Sequence, residues 1–87
     1  MKCASSFITF NLATRDFRIA HKLLRLLTST KIDTSLFSFR PHGMFSLQAL
    51  GMLVKYEATN VGAIEARNVV KAICVNNNIG AYHMEFL

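Results

Sequence analysis

Two hydrophobic periods take turns along this chain. Between Cys3 and Leu12 apolar and polar residues alternate loosely, which puts Ile8, Phe10 and Leu12 on one side of a strand and Phe7, Thr9 and Asn11 on the other. The period then changes, and Phe17, Ile19, Ala20, Leu23, Leu24, Leu26 and Leu27 fall on one broad face of a helix. Thr14 is placed to cap that helix, and Thr28, Ser29 and Thr30 to let its end fray. A second helix is expected from near Asn60, with Ala63, Ala66, Val69, Val70, Ile73 and Cys74 as its buried face. Asn76, Asn77, Asn78 and Gly80 are helix-ending and turn residues. The tail Ala81 to Leu87 alternates again, with Tyr82, Met84 and Phe86 inward.

Between the two helices lies the most apolar stretch, Met44 to Tyr56, whose period is not self-evident. Its surroundings decide for a strand. Ser35 to Phe39 alternates so that Phe37 and Phe39 share a side, and Arg40-Pro41-His42-Gly43 carries the Pro and Gly preferences of a tight type I turn. A hairpin from about Thr34 to Tyr56 follows. Gly51 would weaken a helix by about 1 kcal/mol; in a strand it marks a bulge or a close backbone approach. The element order is therefore β-α-β-β-α-β, and neither helix is apolar enough to stand alone. An α+β ferredoxin-like sandwich is the economical solution, with strand order 4-1-3-2, an antiparallel four-stranded sheet, both helices on one face and the other face open.

The 87 residues are expected to form one domain spanning 1–87. They are 52% hydrophobic and 17% charged, against a usual charged share of about 25%. That apolar load predicts cover by another copy or a partner, hence a homodimer or a stable hetero-complex. Ten Lys plus Arg against five Asp plus Glu give +5. An acidic protein surface or a nucleic acid is the natural partner class, and a merely solvated basic surface is the plainer alternative. Cys3 and Cys74 are too few for a disulfide scaffold and lack zinc spacing, so a reducing cytoplasm is expected. The first residues lack the apolar core of a secretory signal, and no apolar run reaches the roughly 18 residues of a membrane span.

Three surfaces are candidates for function. On the open sheet face, Phe7 to Leu12 resembles one of the two short motifs of RNA-recognition domains, ending in the same Asn-Leu. The second motif is missing: Gly51 and Leu53 stand where stacking aromatics belong and Ala49 where a cation belongs. On the first helix, Arg15, Arg18, Lys22 and Arg25 share a narrow stripe suited to phosphate or acidic-protein contact. The third is one end of the sandwich, where Asn11, Thr14, Arg15, Arg40, His42 and Asn76 to Asn78 would gather. That end resembles the phosphate site of acylphosphatases in position only, since Asn11-Leu12-Ala13-Thr14 replaces their glycine-containing loop.

His21, His42 and His83 are scattered, and Asp16, Asp33, Glu57, Glu65 and Glu85 sit singly. Neither a catalytic pair, a metal cluster nor a cofactor motif is legible, so an enzyme is the least favoured class. A small non-enzymatic interaction protein is expected, such as an inhibitor, adaptor or regulatory subunit of the kind phages and mobile elements encode. Its contact residues would be Arg15, Arg18, Lys22, Arg25, Arg40 and His42. The alternative is a nucleic-acid-binding module that uses the basic face of the first helix.

Overall fold

The computed structural model describes residues 3–56 and 62–87. Its elements are β1 (Cys3–Leu12), α1 (Phe17–Ser29), β2 (Ile32–Pro41), β3 (Leu47–Tyr56), α2 (Gly62–Asn76) and β4 (Ala81–Phe86). The strands form one antiparallel sheet in the order β2-β3-β1-β4. This is the ferredoxin-like arrangement, with β3 central beside β1 and the helices packed on one face. Among the described residues no helix is long and apolar enough to cross a membrane.

Residue size on β3 explains how the core closes. Ala49 lies between Phe10 of β1 and Phe39 of β2, and Gly51 between Ile8 and Phe37. Because these two central residues are small, the rings of the flanking strands meet above them. Phe10 stacks on Phe37 at 6.0 Å and meets Phe39 edge-on at 6.1 Å, a preferred geometry for aromatic pairs. Ala20, Leu23 and Leu27 of α1 and Ala66, Val70 and Cys74 of α2 bury their side chains on this side. Gly51 has φ +137, and a Cβ there would stand 2.1 Å from the Leu36 carbonyl oxygen, so this is the close backbone approach expected of it. Beside it, β2 bulges: Thr34 and Ser35 together fit between the Asp33–Val54 and Leu36–Met52 pairs.

Helix α1 begins later than expected. Asp16, not Thr14, is the N-cap: its Oδ1 accepts from Arg18 N–H at 2.9 Å, while Thr14 Oγ1 accepts from Asp16 N–H at 3.0 Å. A carboxylate here gains from the helix dipole, which a threonine cannot match. Nor does the other end fray. The hydroxyls of Thr28, Ser29 and Thr30 donate back to the carbonyls of Leu24, Leu26 and Leu27, and the Thr30 and Lys31 N–H groups close the last turn on the carbonyls of Leu27 and Thr28.

For α2 the expected start near Asn60 and the side chain of Ala63 lie outside what is described. The rest of its apolar face is as expected, and it ends where Asn78 turns left-handed with φ 54 and Ile79 N–H bonds the Cys74 carbonyl. In β4, Met84 and Phe86 pack against the core but Tyr82 is 60% exposed, contrary to expectation. The β1–β4 register shifts between Asn11 and Leu12, so Ala81 takes the inward place beside Leu12 and Tyr82 is extruded.

The β2–β3 connection also differs from the expected tight turn. Pro41 still pairs with Leu47, and His42 to Ser46 form the loop. An edge strand tolerates a terminal proline, which has no N–H to contribute to the ladder. Met44, Phe45 and Ser46 thus fall outside β3.

Candidate docking site

The uncovered face of the sheet is laid out in rows across the strands. At the hairpin end, Arg40, Gln48, Asn11 and His83 stand side by side, and Arg40 Nε and Nη2 donate to Gln48 Oε1 at 3.1 and 2.7 Å. Next come Ser38, Leu50, Thr9 and Glu85, followed by Leu36, Met52 and Phe7. Leu87 continues that third row, its N–H bonded to the Phe7 carbonyl at 2.9 Å. Asp33, Val54 and Ser5 form the fourth. Along β2 and β3 the face therefore runs from Arg40 at one end, through an apolar band, to Asp33 at the other, with Glu85 at the β4 edge of the second row. Leu36 is 64% exposed in the middle of this band.

Asp33 is fixed in place. Ser35 N–H donates to its Oδ1 at 2.9 Å and Tyr56 O–H to its Oδ2 at 2.8 Å. The backbone donor first, then the phenol, holds its carboxyl below the usual carboxylate range. Asp16 is likewise held low, chiefly by the Arg18 side chain, which grips both its oxygens. Lys55 pairs with Glu65, and His83 Nε2 lies 3.4 Å from Glu85. Asp16, Asp33 and Glu65 thus have donors beside them, and Glu85 has the His83 ring nearby; Glu57 lies outside the described residues. Cys74, by contrast, is an unpaired thiol whose burial pushes its pKa up to about 11.

The six residues expected to form the contact divide between the exposed side of α1 and the hairpin end of the sandwich. Arg18, Lys22 and Arg25 are exposed on α1, with Arg18 tied to Asp16. Arg15 precedes the helix and leaves the stripe. Arg40 belongs to the sheet face, and His42 to the hairpin loop. Lys22 and Arg25 are without an ion-pair partner among the described residues, and α2 adds exposed Arg67 and Lys71 to the same layer. The guanidinium of Arg67 lies 5.7 Å above the Phe86 ring. His21, also exposed, rests against Phe17.

Sequence reasoning missed the hairpin tip. Met44 and Phe45 are 77% and 80% exposed. They do not dangle: His42 N–H bonds the Ser46 carbonyl at 2.9 Å, the Ser46 hydroxyl donates back to the His42 carbonyl, and Gly43 takes φ 76 to close the loop. Two adjacent large apolar side chains are thereby presented by a braced turn.

The likeness of β1 to an RNA-recognition motif is not supported by the register. Gly51 and Leu53 face the helices, opposite Ile8 and Ser6, so aromatic residues there would point into the core rather than at a base. No protein-family model, no curated protein and no solved structure matches the chain.

Proposed function

We propose that this is a non-enzymatic interaction protein that docks on another protein through the tip of its β2–β3 hairpin. The observation that carries the reading is the pair Met44 and Phe45, exposed together on a hydrogen-bonded turn. An aromatic anchor on a backbone that is already braced costs little loop ordering when it enters a pocket, and buried aromatic anchors of this kind dominate interface hot spots. Arg15 and His42 lie at the same end of the sandwich, so a partner pocket with an acidic rim is the complementary surface. Asp16, Asp33 and Glu65 are already engaged by donors, which suits a binding role better than acid–base chemistry at these three positions. A reducing cytoplasm suits a chain with two cysteines and one buried free thiol.

The segregation of charge favours a second reading. Lys22, Arg25, Arg67 and Lys71 make the helical layer basic, so that layer is the place where a phosphate backbone would lie. Capture from lysate with and without nuclease separates the two, using the natural chain, a Met44→Ser/Phe45→Ser variant and a Lys22→Gln/Arg25→Gln variant. The hairpin reading expects nuclease-resistant capture that only the tip variant loses. Capture lost to nuclease and to the helix variant would replace it with the nucleic-acid reading.

A further inference from the structure

We infer that the open sheet face is the contact between two copies of this chain, stacked sheet on sheet about a two-fold axis that runs across the strands. The inference is independent of the hairpin-tip reading, because it uses a different surface. The face is large enough: three ten-residue strands of roughly 33 Å and the six-residue β4 of roughly 20 Å, about 4.8 Å apart, span on the order of 600 Å² before side-chain relief, near the roughly 800 Å² per partner of a standard interface. Its middle is the apolar band of Phe7, Leu36, Leu50, Met52 and Val54. A two-fold interface brings each patch onto itself, so a central apolar band is self-complementary.

Charge chooses the direction of the axis. An axis across the strands lays the Arg40 end of one copy over the Asp33 end of the other, both residues being on β2. Placed between the Leu50 and Met52 rows, it sets each guanidinium against a carboxylate. An axis along the strands would instead set Arg40 over His83 and leave Asp33 unopposed. Charge also favours this face over the helical one. The described face carries one formal cation, Arg40, against Asp33 and Glu85, whereas the chain as a whole is +5. Stacking through the sheets, which pack about 10 Å apart, turns both basic helical layers outward. They end up separated by more than the Debye length of about 8 Å at physiological salt.

Sedimentation of the purified chain over a concentration series tests this. A dimer is expected, and Leu36→Lys/Met52→Lys should shift its dissociation at least a hundredfold toward monomer while circular dichroism shows the fold retained. Arg40→Asp and Asp33→Arg should each weaken the dimer about tenfold or more, and the double exchange should recover most of the loss. A chain that stays monomeric at several hundred micromolar overturns the inference, as does a dimer unaffected by the lysines. A double exchange no better than its singles overturns the axis. None of these results bears on capture by Met44 and Phe45, so the two proposals fail separately.

Discussion

At Gly51 the backbone of β2 comes so near that only a hydrogen fits where a side chain would begin. A Cβ would meet the Leu36 carbonyl oxygen at 2.1 Å and the Phe37 Cα at 2.8 Å, and φ +137 is itself unfavourable for other residues. Gly51→Ala should therefore cost about 3 kcal/mol or more, seen as a fall of roughly 12–24 °C in thermal midpoint for a domain of this size. The residue was legible, because a glycine inside an apolar strand already signals close approach. What the sequence could not show was the neighbour: the two-residue bulge at Thr34 and Ser35 is a pairing property. Asp33, beside that bulge, carries a second prediction. Its pKa is lowered in the fold, so its contribution is present above the ordinary value of 3.8 and lost as pH falls through the lowered one. Urea midpoints measured across pH should fall at the acid end, and Asp33→Asn should flatten that limb.

In the β2–β3 hairpin the local turn preference and the alternation of β3 disagree. A two-residue turn at Pro41-His42 would pair Phe39 with Met44 and Phe37 with Ser46, which puts even-numbered β3 residues under the helices and Gln48 in the core. The observed register pairs Phe39 with Ala49 and Pro41 with Leu47, so Leu47, Ala49 and Leu53 turn inward. That parity was in the sequence. Local turn preference points the other way and extends the expected strand over Met44 and Phe45, which in fact precede it. Since both are exposed, Met44→Ser/Phe45→Ser should change stability by no more than about 0.5 kcal/mol while abolishing partner capture; a large fall in thermal midpoint would mean that the tip packs on its own sheet. Helix α1 was legible in its faces but not in its first turn. Asp16 lies two residues beyond Thr14, and either could cap; only the Arg18 contacts settle it. The stripe is thus reduced to Lys22 and Arg25, which have no ion-pair partner among the described residues, and their exchange for Gln is the informative test of nucleic-acid binding. If phosphates are contacted, the slope of log affinity against log salt should shrink by about one unit per lost contact.

For the whole molecule, the order of elements was enough to give the topology, because two amphipathic helices and four strands with short connections leave few ways to cover one sheet face. It also places the cysteines. Cys3 pairs with Tyr56 at one end of the sheet, and Cys74 closes α2 near the other, on the order of 30 Å away by the rise of β1. No intramolecular disulfide should form, and Cys74, buried with its pKa raised to about 11, should react with thiol reagents at the rate at which the domain opens. Composition suggested that so apolar a chain needs cover but could not say where. The proposed dimer puts that cover on the sheet face, with Leu36, Met52 and Phe7 in the middle and Arg40 and Asp33 at opposite ends. Methyl NMR spectra recorded through a dilution series test this most directly. The resonances of Leu36, Leu50, Met52 and Val54 are expected to move together with concentration while those of Leu23 and Leu27, buried on the inner side of α1, stay fixed; sheet-face methyls that do not change across the series, with or without shifts on the helical side, would contradict the dimer.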